Sequence, residues 1–142
     1  MASELAERFM NALQEAEDTG DVSTLEVLFT DDAELYSLAS TEPRHGVAGA
    51  HDFWLEYLRA FDCVRSRFIR VTESGDVIVL EWISDGVLPD GTEVTYRGVS
   101  VLETADSLVR RFRSYYDSAA LKVRAVTAGR SAGWDGGMMQ GG

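Results

Sequence analysis

The chain has 142 residues, 45% of them apolar and 10% aromatic, which fits one globular domain with a real core rather than a disordered segment. A net charge of −11 opposes phosphate backbones and anionic lipid, so it argues against a nucleic-acid partner even though Arg65, Arg67 and Arg70 cluster on one predicted strand. No apolar run approaches the roughly 18 residues of a membrane span. The acidic start Met1, Ala2, Ser3, Glu4 lacks the basic flank of a signal peptide, and the single cysteine, Cys63, excludes an internal disulfide and any cysteine cage for a metal. A cytoplasmic location without membrane association is expected.

Leu5, Phe9, Ala12, Leu13 and Ala16 recur at helical spacing, with Ser3 placed to cap the start and Thr19, Gly20 and Asp21 to stop the helix. Asp21 suits the N-cap of a short second helix that buries Leu25, Leu28 and Phe29, after which Thr30, Asp31 and Asp32 turn the chain. A first strand is predicted over Ala33–Leu38 and a loop over Ala39–Gly46, containing Pro43. The loop leads into a third helix with Val47, Ala50, Trp54, Tyr57, Leu58 and Phe61 near one stripe. Four extended segments follow, Val64–Glu73, Val77–Asp85, Glu93–Glu103 and Leu108–Asp117, separated by Ser74-Gly75-Asp76, Pro89-Asp90-Gly91 and Ala105-Asp106-Ser107. These are hairpin turns. The Gly-rich stretch Ala128–Gly142 holds six of the thirteen glycines, so residues 1–122 are read as the folded domain and 123–142 as a flexible or lid-like tail.

Val77 to Ile83 does not alternate cleanly between apolar and polar, which implies a central strand covered on both faces. Helices can cover one face, and the economical cover for the other is a second copy about a two-fold axis; the competing cover is the tail folding back. In the last strand, alternation puts Arg113, Tyr115 and Asp117 on one face and Phe112, Ser114 and Tyr116 on the other. An acid beside a phenol is a proton-transfer pair if its face lines a cavity.

The order of these features carries a family resemblance. A helix, a short helix ending Leu28-Phe29-Thr30-Asp31-Asp32-Ala33, then Glu42-Pro43-Arg44-His45-Gly46 opening a helix, and Arg97-Gly98-Val99-Ser100-Val101 before the terminal Tyr-Tyr-Asp resemble the SnoaL-like branch of the nuclear transport factor 2 (NTF2) superfamily. The resemblance covers about residues 5 to 121. It implies an α+β cone: three N-terminal helices packed in a curved, mixed, mostly antiparallel sheet that encloses an apolar pocket, commonly in a homodimer. The family includes polyketide cyclases, ketosteroid isomerases, epoxide hydrolases and binding proteins without a known reaction, so fold alone does not choose among them.

Comparison with the subfamilies narrows the chemistry. Where the steroid isomerases carry a catalytic tyrosine, a base aspartate and a protonated aspartic acid, this chain has Phe9, Ser37 and Val99: phenylalanine and valine cannot hydrogen-bond an enolate oxygen, and a serine of ordinary pKa is a poor base. The epoxide hydrolases resemble the chain at the last strand, where Tyr115 matches an aromatic pocket residue and Asp117 one of their two catalytic aspartates. Their arginine and other aspartate correspond to Trp82 and Ser84, which lack the charge relay that would activate water and leave an epoxide hydrolase-like enzyme the weaker alternative. The same comparison puts Phe9, Leu35, Ser37, Trp54, Leu80, Trp82, Ser84, Val99, Val101, Tyr115 and Asp117 on the inner side. The resemblance therefore implies a polyketide cyclase-like or isomerase-like enzyme acting without a cofactor on an apolar or aromatic molecule. Asp117 would transfer the proton, Tyr115 with Ser37 or Ser84 would hydrogen-bond the substrate, and Trp54 and Trp82 would stack on it. The alternatives are a non-catalytic dimeric protein binding an apolar ligand in the same pocket, and an Asp117 that only ends its strand or pairs with Arg113. His45 and His51, six apart, do not share a helical face, so no metal is expected. Glu81, opposite in face to Trp82, is expected to pair with Arg97 or Arg67 across strands.

Overall fold

A computed structural model describes residues 2–38 and 41–121. Helix α1 spans Glu4–Thr19: Ser3 Oγ accepts the Ala6 N–H at its start, Gly20 closes it in the left-handed region at φ 82°, and the predicted stripe Leu5, Phe9, Ala12, Leu13 and Ala16 is buried. Helix α2, Ser23–Glu26, is one turn long, with the Asp21 carboxylate accepting the Ser23 N–H just before it. Strand β1 spans Phe29–Tyr36, four residues earlier than expected at its start. Asp31 and Asp32 thus lie within an irregular strand rather than a turn, since β1 slips register against the last strand between Phe29 and Glu34. The expected loop around Pro43 contains a two-residue strand, β2 at Arg44–His45, paired with Glu34 and Leu35.

Helix α3 spans Gly46–Arg59 and buries Ala50 and Trp54. It follows the first two strands, so the expected set of three N-terminal helices is two helices, two strands and a third helix. Strands β3 (Cys63–Ser74), β4 (Val77–Val87), β5 (Glu93–Ala105) and β6 (Leu108–Tyr116) form the predicted meander. Asp106 and Ser107 both have positive φ, 54° and 64°, the backbone that a two-residue hairpin between twisted strands requires. The sheet order is β2-β1-β6-β5-β4-β3, antiparallel except for the β1–β6 pair.

The helices lie on the inner face of this curved sheet. Ile78, Leu80, Trp82 and Ser84 of β4 alternate inward with Val94, Tyr96, Ser100 and Leu102 of β5, and all are buried. Val79, Glu81 and Ile83 face the other way, as do Val99 and Val101, and each is partly exposed. Glu81 pairs with Arg70 at 3.9 Å rather than with Arg97 or Arg67, because an extra residue, Ile69, shifts β3 by one place and brings Arg70 opposite Glu81. No helix among the described residues is long and apolar enough to cross a membrane. The tail assigned to residues 123–142 lies outside the described residues.

Candidate functional site

A cavity of about 610 Å³ opens between the inner face of the sheet and helix α3. Its apolar wall is aromatic: Phe53, Tyr57 and Phe61 come from α3 and the turn after it, and Trp82, Tyr96 and Tyr116 come from three adjacent strands. Exposed Glu42 and Glu56, with Pro43 and Arg44, mark its open side. There Arg44 binds Glu56 and lies 3.8 Å from Asp52, a charge cluster at the rim. The sheet packs its rings tightly because Gly98, between Trp82 and Tyr116 in register, has no side chain; a Cβ there would sit 2.8 Å from both residues. Trp82 meets Tyr96 edge-on at 5.5 Å, and Tyr96 lies 5.6 Å from Tyr116 and parallel to Phe61 at 6.1 Å.

Behind this wall the polar groups form two networks. In the first, Glu17 at the end of α1 accepts the Ser66 N–H at 2.7 Å, the Ser66 hydroxyl at 2.6 Å and the Tyr57 hydroxyl at 2.7 Å. Ser66 in turn contacts the Ser84 hydroxyl at 2.6 Å, with both serines buried. In the second, the Trp82 indole N–H donates to Ser100 at 3.0 Å and Ser100 meets Ser114 at 2.7 Å. Burial pushes the Tyr57 hydroxyl far above its ordinary pKa, helped by the charge of Glu17 and the hydrogen bond to it. Burial likewise raises Tyr96. Desolvation raises Tyr116 as well. All three phenols stay protonated at neutral pH.

The structure divides the residues expected at the site. Leu35, Ser37 and Trp82 line the cavity. Phe9, Trp54, Leu80 and Ser84 are buried on the inner side but outside the lining. Trp54 sits among Phe9, Phe53 and Phe112 with ring centroids 4.9 to 6.0 Å away, so it is part of the core rather than a stacking surface for a ligand. Val99, Val101 and Tyr115 stand on the outer face, and Tyr115 is 48% exposed. Asp117 is exposed, and its Oδ1 accepts the N–H groups of Ala119 and Ala120, which caps the helical turn at residues 118–121. Proton transfer by Asp117 therefore has no cavity-facing geometry to rest on. His51 binds Glu26 at 2.6 Å, and no metal-ligand cluster occurs among the described residues.

The cavity tyrosines were legible in part. Along β5, Glu93, Thr95 and Arg97 alternate with Val94 and Tyr96, which identifies Tyr96 as inward. On β6 the inward set is Phe112, Ser114 and Tyr116, the set opposite to Tyr115. Glu17 carries no such signal, since its partners lie 40 and 49 residues away in sequence.

Comparison with known proteins agrees with this architecture. The SnoaL-like domain model matches residues 6–112. No curated protein matches the sequence. An NTF2-like protein from Anabaena variabilis superimposes with a TM-score of 0.75 at 16% identity, over 84% of this chain and 96% of that one. A protein of ketosteroid isomerase-like fold from Catenulispora acidiphila, in complex with trimethylamine, gives 0.76 at 15% identity over 89% and 95%. TerC, co-crystallised with polyporic acid, gives 0.74 at 18% identity over 86% and 98%. At these identities the likeness is one of fold. The family match runs from the first turn of α1 into β6, and the chain belongs to the SnoaL-like domain family with an NTF2-like fold.

Proposed function

We propose that this domain binds a flat, largely apolar or aromatic small molecule carrying hydrogen-bonding oxygen. The observation that carries this reading is the 610 Å³ cavity, whose aromatic walls include three protonated phenols. A hole of that size suits a two- or three-ring ligand, and the phenols would fix its orientation. Polyporic acid, co-crystallised with TerC of the same fold, lends support. Trp82 lines the cavity and reports on it. Titration of the purified protein with naphthalene-ring compounds, followed by tryptophan fluorescence and calorimetry, should give saturable 1:1 binding that Tyr96→Ala or Trp82→Ala weakens. Absence of saturable binding across such a series overturns the proposal.

A second reading, acid–base catalysis of the cyclase or isomerase type, is supported by the carboxylate–phenol contact of Glu17 and Tyr57 at the cavity wall. Turnover of a ligand found by the titration, lost in Tyr57→Phe with binding retained, would establish it. The partly exposed apolar residues of the outer sheet face, including Val79, Ile83, Val99 and Val101, favour a second copy of the chain as their cover.

A further inference from the structure

The hydrogen bonds behind the cavity have a direction. An ionised carboxylate only accepts, and each hydroxyl has one proton to give. Glu17 Oε1 takes the Ser66 N–H, while Oε2 takes the protons of both the Ser66 and Tyr57 hydroxyls. With the Ser66 proton committed to Glu17, the 2.6 Å contact between the serines is donated by Ser84. Ser84, its own proton committed to Ser66, has only lone pairs left to offer. The protons of this network all run toward Glu17.

We infer that Glu17 is a positioning residue that turns the Tyr57 proton away from the cavity, so that the Tyr57 oxygen presents lone pairs and selects a ligand with a hydroxyl or N–H donor at that end of the site. The ligand class is thereby narrowed from any oxygen-bearing aromatic to phenols, enols, alcohols or amines. An ether or ketone oxygen placed at that end would face another acceptor, a contact without a proton. This inference rests on the cavity being the ligand site.

Glu17→Gln reverses the polarity. The Ser66 N–H still requires an acceptor, which fixes the amide oxygen at the Oε1 position and puts the NH₂ group where Oε2 was. The amide then donates to Tyr57, whose own proton is released toward the cavity. The test is calorimetric binding of 2-naphthol and of 2-methoxynaphthalene to the wild type, Glu17→Gln and Tyr57→Phe. The ether is the more apolar of the two, so a site without an acceptor favours it. Wild type should bind 2-naphthol about fivefold or more tightly than the ether. The ratio should fall to one or below in Glu17→Gln and drop in Tyr57→Phe. A wild-type preference for the ether overturns the inference without any variant. So does a folded Glu17→Gln or Tyr57→Phe that keeps the wild-type ratio. If neither compound nor any other ring compound binds wild type, the ligand site itself is misassigned, an outcome distinct from an unaltered ratio.

Discussion

Gly98→Ala tests whether one missing side chain sets the shape of the cavity. The added methyl would lie 2.4 Å from the Tyr115 carbonyl oxygen, 2.8 Å from Trp82 Cζ2 and 2.8 Å from Tyr116 Cβ. None of these atoms is the loose end of a flexible chain: one is backbone of the paired strand, one belongs to a rigid indole held by Ser100, and one is fixed to the β6 backbone. Burying a methyl group gains at most about 0.8 kcal/mol. Overpacking of this kind costs about 1–3 kcal/mol, so the variant should be destabilised by about 1–2 kcal/mol net and melt on the order of 5 °C lower. Because the displaced groups are two walls of the cavity, affinity for a ring ligand should fall with stability. Chemical denaturation measures the first effect and calorimetric titration the second. A Gly98→Ala protein that unfolds at the parent's midpoint and binds with the parent's affinity refutes the packing argument.

Asp117→Ala should lose the cap on residues 118–121 and about 1 kcal/mol of stability, whereas Asp117→Asn keeps an acceptor and should lose only a few tenths; both should bind ring ligands as the parent does. Collapse of binding in a folded Asp117→Asn protein would return that residue to the site. Glu103 is held below its ordinary value of 4.5, first by the hydrogen bond from Arg113 and also by the charges of Arg111, Arg113 and Arg110, against the opposing effect of desolvation. Its pairing thus stabilises the fold above pH 4.5 and is lost as pH falls through the depressed folded value. Glu103→Gln should flatten the acid limb of the stability–pH profile below pH 4.5, and an unchanged limb in pH-dependent denaturation counts against this account. Val79→Glu places a charge in the middle of the outer sheet face. Sedimentation should show a dimeric parent and a monomeric variant, and a monomeric parent dismisses the second copy as the cover of that face.

Elements with one strong local signal were legible in the sequence. The α1 stripe, its Ser3 and Gly20 caps and the three hairpin turns all sit where spacing and turn chemistry put them, since each depends on residues within one or two turns of one another. What period-two reasoning cannot supply is phase across an irregular strand. β6 illustrates the limit: Thr104 pairs with Val109 and Glu103 with Arg111, so Arg110 is an extra residue and both Val109 and Phe112, three apart, point inward. From Phe112 onward strict alternation returns, and it places Ser114 and Tyr116 inside and Tyr115 outside. Buried Phe112 was a usable anchor, because a large ring beside Arg111 and Arg113 has only one stable side. Matching Asp117 to a relative's aspartate put the terminal acid on the inner side, which alternation from Phe112 denies to its face-mate Tyr115. The same logic explains Glu81, whose arginine changed when Ile69 displaced β3 by one residue. Bulges of this kind bend strands and turn a flat ladder into a curved surface. The irregularities that hid the phase of the sheet thus belong to the geometry that gives it a concave side, and a reading of this fold should take its phase from buried aromatics near the site rather than from the residue that ends a strand.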